Sequence, residues 1–154
     1  MQRRLEDHLS YVLADLGWRL NRELAASLRL EGVPVDYWRV LRALAERPGQ
    51  SPTELADQVL LNLPTLTKLI DRMAADALVY RLPHPADGRR VRLQVSDRGR
   101  ALLERLDRQA GAQQSELERA LGTAGVSELL ARLERLRAAI SEPGVRRAGQ
   151  DGDA

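Results

Sequence analysis

The chain has 154 residues, a length that suits one domain or one compact protomer. It contains no cysteine, which excludes disulfides, thiol sensors, cysteine nucleophiles and cysteine-ligated metals. The formal net charge is only +2, so any nucleic-acid-binding surface must be a local basic patch. The N-terminus has no apolar run of signal-peptide length, and no stretch approaches the roughly 18 apolar residues of a membrane span. We therefore expect a cytoplasmic protein without membrane segments.

The first half of the chain has a helical pattern of apolar residues. Leucines recur at steps of three and four over residues 5–30, and Gly32 and Pro34 then separate this helix from a second one at 35–49. Ser51, Pro52 and Glu54 have the spacing of a capping box and predict a short helix that ends near Leu60.

Asn62 is placed to cap a further helix over 63–78. Two short helices joined by so tight a turn indicate a helix-turn-helix. After Leu78 the apolar period changes from 3.6 to 2, which predicts strands at 79–83 and 91–95. Asp87-Gly88 is a turn sequence, so these strands form a hairpin with a basic tip.

Ser96 is placed to cap a long helix over about 97–119, and Ser127 a last helix whose leucines lie on one face. The polar, glycine-containing tail 142–154 is typical of disordered segments. The predicted fold is mainly α-helical with a small β-hairpin wing.

Helix 63–78 carries a polar face that suits DNA recognition. Thr65, Thr67, Lys68 and Arg72 lie mostly away from its core stripe, and Lys68 is the only lysine of the chain. Lysine and arginine reach guanine edges or phosphates, and threonine contacts phosphate or a thymine methyl. Taken alone, such a face is more often merely solvated. The hairpin that follows at once, with Arg89 and Arg90 at its tip, favours a winged helix-turn-helix.

Over about residues 5–140, the chain resembles the multiple-antibiotic-resistance-regulator (MarR) family of bacterial transcription factors. Residues 51–103 carry the resemblance, and their most specific part is "DGRRVRLQVSDRG" at 87–99. The resemblance implies that helix 5–30 and the helices at 97–141 form a dimerisation region, with a DNA-binding domain at 35–100. It also implies that Asp87 holds Arg89, which enters the minor groove, and that Arg90 assists by contacting the DNA backbone. Family members usually have polar residues where Leu63 and Pro64 stand.

Four of the five aromatic residues fall within positions 11–38. Tyr11 and Trp18 form a stripe on the first helix together with His8, and Arg19 lies beside this stripe. In the family, small aromatic acids or phenols often bind near this region, so we expect an aromatic carboxylate or phenol as effector, contacted by these four residues and Trp38. The alternative is that Trp38 is core and that Tyr11 and Trp18 fill the dimer interface.

We find no phosphate-binding glycine loop, nucleophile elbow or metal-spaced cluster, so we expect neither an enzyme, a metal site nor a cofactor. The expected function is a homodimeric repressor that aromatic effectors release from a pseudo-palindromic DNA operator. The alternatives are a winged-helix protein-interaction adaptor and a ligand-independent DNA-binding regulator.

Overall fold

The computed structural model describes residues 4–141, so the predicted disorder of the tail 142–154 lies outside the described residues. The described part contains six α-helices and one two-stranded antiparallel sheet, which confirms the predicted fold class. The chain divides into two compact units between Ala112 and Gln113. The first unit holds the helix-turn-helix and the wing, and the second holds the C-terminal helical segments.

The N-terminal segment is less continuous than the prediction of one helix over 5–30. A 3-10 turn at Leu5–Asp7 comes first, His8 is extended, and α1 then runs from Leu9 to Leu28. A second 3-10 turn at Arg29–Glu31 ends at Gly32, whose φ of 68° lies in the left-handed region. Gly32 therefore stops the helix as predicted, since glycine adopts this conformation without a steric penalty.

Helix α2 (Val35–Glu46) ends three residues before the predicted boundary. The residue after it, Arg47, precedes a proline and has φ −133° and ψ 87°, because a following proline ring disfavours the α conformation. Helix α3 (Pro52–Val59) begins at the predicted capping box: Ser51 Oγ accepts a hydrogen bond from the Glu54 backbone N–H, and Glu54 accepts one from the Ser51 N–H.

Helix α4 (Leu63–Ala75) is shorter than the predicted 63–78. Its end is closed by two backbone hydrogen bonds, from Ala77 N–H to Ala74 O and from Leu78 N–H to Met73 O. Ala77 itself has a φ of 56°, in the left-handed region. The two bonds and this conformation define a Schellman motif, with alanine in the position that glycine usually occupies. Leu78 is thereby turned from the helix into the core.

The wing consists of β1 (Val79–His84) and β2 (Asp87–Val95). Both strands are longer than predicted, and the chain reverses at Pro85 and Ala86, so the prediction of a turn at Asp87-Gly88 was wrong. His84 pairs with Asp87, whereas Pro83 pairs with Val91, which leaves residues 88–90 of β2 without partners in the register. The result is a bulge at the tip of the wing.

Helix α5 (Asp97–Leu121) starts at the predicted cap, since Ser96 Oγ accepts a hydrogen bond from the Gly99 N–H at 2.9 Å. Helix α6 (Thr123–Ser141) starts earlier than predicted. Ser127 is not its cap, because the Ser127 hydroxyl donates within the helix to the Thr123 carbonyl.

A single hydrophobic core lies within the first unit and fixes α2, α3, α4, the strands and the start of α5 to one another. Its largest fully buried aliphatic side chains are Leu28, Leu41, Leu44, Leu55, Leu66, Ile70, Met73, Leu93 and Leu106. This core positions the outer face of α4 next to the wing.

Candidate nucleic-acid interface

The tight turn between α3 and α4 sets the start of the candidate recognition helix. Leu60, the residue after α3, has φ 60°, and Asn62 then caps α4 by accepting a hydrogen bond from the Thr65 N–H at 2.9 Å. The cap fits the sequence pattern, since a short side-chain oxygen satisfies an N–H that has no partner within the helix. The direction of α4 is therefore determined within three residues of the end of α3.

Helix α4 has one buried and one exposed face. Leu66, Leu69, Ile70 and Met73 are buried in the core. Thr65, Thr67, Lys68 and Arg72 are all exposed, so the structure leaves every predicted contact residue of this helix accessible. The accessible part of α4 therefore carries two cations and two hydroxyl-bearing side chains, which are residue types that can contact phosphates and base edges.

Thr67 does not present its hydroxyl proton to the outside. Its Oγ1–H donates to the Leu63 carbonyl at 2.9 Å, one turn earlier in the same helix. The oxygen can still accept a hydrogen bond, and the γ-methyl remains available for apolar contact. Thr67 therefore differs from Thr65 in what it offers a partner.

The two wing arginines lie in the bulge of β2. Arg89 and Arg90 are exposed, and neither has a partner residue on β1 in the register. Asp87 Oδ1 accepts a hydrogen bond from the Arg89 backbone N–H at 3.0 Å, so Asp87 holds the backbone of Arg89. The Ala86 N–H donates to His84 Nδ1 at 3.2 Å across the reversal. These local bonds shape the tip, and both arginine side chains remain exposed.

An ion pair between α4 and the wing was missed from the sequence. Arg81 of β1 lies 2.6 Å from Asp71 of α4, and both side chains are substantially exposed. Asp71 shares the outer face of α4 with Lys68, where a lone carboxylate would repel a phosphate backbone. Arg81 compensates this charge and links the wing to α4. An aspartate on an otherwise cationic face was the pattern that could have indicated a nearby arginine.

The carboxylate of Glu54 has a lowered pKa, because the Ser51 backbone N–H and hydroxyl both donate to it. The pocket beside it, about 650 Å³, is lined by residues of α3 and of the wing, including Arg90 and His84. A negative charge at the start of α3 is favourable, since the N-terminus of a helix carries a partial positive charge.

The residues expected to bind an effector do not form one enclosed site in the described chain. Tyr11 and Trp18 are exposed by 41% and 59%. The Arg19 guanidinium pairs with Asp15 at 2.8 Å, and this contact raises the pKa of Arg19. The guanidinium carbon of Arg22 lies 4.7 Å from the centre of the Trp18 ring. His8 is exposed at the start of α1.

Trp38 has different surroundings from the residues of α1. It is half-buried against the core, and its indole N–H donates to Asp107 Oδ1 of α5 at 2.8 Å. The other oxygen of Asp107 accepts from Arg42 at 3.1 Å. Trp38 therefore serves as a packing residue that joins α2 to α5, and it also lines a small surface pocket of about 270 Å³ with Leu60.

Within residues 4–141 there is no group of three or more metal-binding side chains close enough to hold an ion. In the same range, no helix combines the length and the apolar character needed to cross a bilayer.

The chain is similar to known transcription regulators. The model of the MarR family matches residues 31–90. The chain is 33% identical to the HTH-type transcriptional repressor IacR of Pseudomonas putida over 67% of this chain. It is 35% identical to the homoprotocatechuate degradative operon repressor of Escherichia coli over 48% of this chain. The chain spans 62% of the length of the first relative and 50% of the second.

A solved structure matches over a longer range. The MarR family transcriptional regulator SPO1453 of Silicibacter pomeroyi is 30% identical, with a TM-score of 0.78 over 90% of this chain and 99% of that one. All three proteins are regulators by name, which confirms the prediction that the chain is not an enzyme. The chain belongs to the MarR family of winged helix-turn-helix transcription regulators.

Proposed function

We propose that the protein is a homodimeric repressor whose α4 reads the major groove of a pseudo-palindromic operator while its wing enters the adjacent minor groove. The observation that carries the proposal is the combination of an exposed cationic face on α4 with an arginine-bearing bulge in β2. The names of IacR and of the homoprotocatechuate operon repressor support the sign of regulation. A protein that binds an operator works beside the chromosome, so we propose the cytoplasm as its location.

Exposed apolar side chains support the dimer. On α1, Leu9 and Leu16 are exposed by 56% and 48%. In the second unit, Leu129 and Leu130 of α6 are exposed by 45% and 58%. Exposed apolar side chains that form a contiguous patch are typical of an interface. We propose that α1 and the helices at 97–141 of two copies bury these side chains together, and that 35–100 forms the DNA-binding domain. Operator half-sites should then be about one helical turn apart.

The DNA-binding proposal is tested by gel shift with the region upstream of the protein's own gene, over a series of salt concentrations. Lys68→Ala and Arg89→Ala should weaken binding, whereas Arg137→Ala, which removes the same charge from α6, should not. Loss of a phosphate contact should also reduce the salt slope by roughly 0.9 per protomer. A folded dimer that retards no DNA at low salt would refute the proposal.

We further propose that a small aromatic acid or phenol is the effector and binds at α1. The support is the set of aromatic and cationic side chains there, and the name of the homoprotocatechuate operon repressor, which refers to an aromatic compound. Because Arg19 already pairs with Asp15, the Arg22 guanidinium over Trp18 is the better candidate to meet a carboxylate. His8 and Tyr11 would complete the site, whereas Trp38 packs between α2 and α5 and is left out of it.

The effector releases DNA only if it binds more tightly to a conformer whose recognition helices are wrongly spaced. A typical coupling lowers DNA affinity about 5–150-fold. Aromatic acids should raise the melting temperature of the wild type more than that of His8→Ala or Arg22→Ala. The same acids should abolish the gel shift of the wild type. Equal thermal shifts in all three proteins would contradict binding at α1.

A further inference from the structure

The first turn of α4 presents an apolar surface to the outside. Pro64 is exposed, and Leu63 is exposed by 43%. At about 100° per residue, Pro64, Lys68 and Asp71 all lie within about 30° of the direction opposite the buried stripe. Pro64 therefore lies on the same outer face as Lys68, one turn nearer the start of the helix.

Hydrogen-bond donors are scarce around this surface. Proline has no backbone N–H, the Thr65 N–H donates to Asn62 Oδ1, and the Leu66 N–H donates to the Asn62 carbonyl. The Thr67 hydroxyl donates to the Leu63 carbonyl and leaves its methyl group free for apolar contact. The backbone N–H groups of Thr65 and Leu66 and the Thr67 hydroxyl are therefore not available to donate to a phosphate.

The charged groups begin one turn further along the helix. Lys68 and Arg72 are exposed there, and Arg81 of the wing offsets Asp71. This arrangement attracts a duplex to the face as a whole, while Leu63 and Pro64 present apolar side chains at its leading end. In the major groove, thymine is the only base that presents a methyl group, at C5.

We propose that Leu63 and Pro64, with the Thr67 methyl, determine operator specificity by packing against the C5-methyl of a thymine in each half-site. The inference rests on the DNA-binding function proposed above. The two residues make the first turn of α4 apolar, so the bases opposite this turn are read by shape and burial. Removal of one buried methyl should cost about four-fold in affinity.

Deoxyuridine substitution isolates this contact, because it removes the C5-methyl of thymine and nothing else. The operator found by gel shift is prepared with deoxyuridine at each thymine in turn, placed symmetrically in both half-sites. The affinity of the wild type for DNA should fall about 15-fold at one or two symmetric positions, since two methyls are removed at once. Substitution at the other thymines should leave the affinity unchanged.

The variants Pro64→Ala and Leu63→Ala test which residues make the contact. At least one of them should bind thymine and deoxyuridine operators with nearly equal affinity at the sensitive position. Lys68→Ala is the matched control on the same face, and it should bind both operators more weakly but keep the ratio between them. Circular dichroism checks that each variant is folded; Pro64 is exposed, so its replacement should preserve the fold.

The proposal is overturned if no thymine methyl affects binding, or if the ratio is unchanged in both variants. Either result leaves the regulator proposal intact. The absence of any retardation, by contrast, contradicts the regulator proposal itself.

Discussion

A methyl group added at Gly99 should destabilise the protein, because this glycine lies against the backbone at the base of the wing. A Cβ at this position would lie 2.2 Å from the Leu78 carbonyl oxygen and 2.8 Å from Val95 Cγ1. Real Cβ atoms essentially never approach another heavy atom within 3.0 Å, so Gly99→Ala requires α5 and Leu78 to move apart. The Leu78 carbonyl cannot move freely, since it accepts the Ser96 N–H at 3.0 Å.

The magnitude follows from three contributions. Overpacking typically costs about 1–3 kcal/mol. Weakening the hydrogen bond from the Ser96 N–H to the Leu78 carbonyl adds about 0.5–1.5 kcal/mol. Alanine has a better helix propensity than glycine, which returns up to about 1 kcal/mol. Together these contributions span about 0.5–4.5 kcal/mol, and we expect Gly99→Ala to lower the free energy of unfolding by about 2–3 kcal/mol, near the middle of that range.

Gly111 is the matched control, since it lies in the same helix and a Cβ there would meet nothing within 4 Å. Gly111→Ala should raise stability by about 0.5–1 kcal/mol through helix propensity alone. Both variants are compared with the wild type by urea unfolding at one fixed protein concentration, because a dimer's stability depends on concentration. With a typical denaturant slope, Gly99→Ala should shift the urea midpoint down by about 1 M. A Gly99→Ala midpoint equal to or above that of the wild type would refute the close approach to Leu78.

Three further predictions concern stability. Ala77→Gly should stabilise by about 0.5–1 kcal/mol because it relieves a left-handed alanine, whereas Ala75→Gly, at the last residue of α4, should destabilise by about 0.5–1 kcal/mol. Both changes are measured by urea unfolding. Ser51 lowers the pKa of Glu54 below its usual 4.5, so this stabilisation is present above that pH and disappears as the pH falls through the lower, folded-state value. Glu54→Gln should accordingly unfold more easily at neutral pH, and its difference from the wild type should vanish in acid, as followed by melting temperature against pH. Burial, and after it the Asp76 carboxylate, raise the pKa of Tyr37 above its usual 10.0. Stability should therefore fall as the pH rises past that value. Tyr37→Phe should show a smaller fall when the melting temperature is followed into alkaline pH.

The elements whose signals are local were predictable from the sequence. The caps at Ser51, Asn62 and Ser96 form as predicted, because a capping oxygen and the N–H that it accepts lie within three residues of each other. The change of apolar period after Leu78 likewise predicted the wing. Successive side chains of a strand point to opposite faces of the sheet, so the pattern can be read within one segment. The exposed face of α4 followed from the helical spacing of its apolar residues.

Features that depend on contacts between distant parts of the chain were not predictable. The reversal of the wing at Pro85 and Ala86 follows from the register of the whole hairpin, in which Val79 pairs with Val95, whereas turn propensity alone favoured Asp87-Gly88. The pairing of Arg81 with Asp71 requires β1 to lie beside α4, which local patterns do not specify.

The sequence by itself determined which segments are helical, which form the wing, and which side of α4 faces away from the core, because each depends on spacing within one segment. Only the tertiary structure decided that α4 ends at Ala75, that Trp38 bonds to Asp107, and that Gly99 lies against Leu78. These depend on how the core brings separate segments together, since the energy of packing is set by neighbours in space and not by neighbours in sequence.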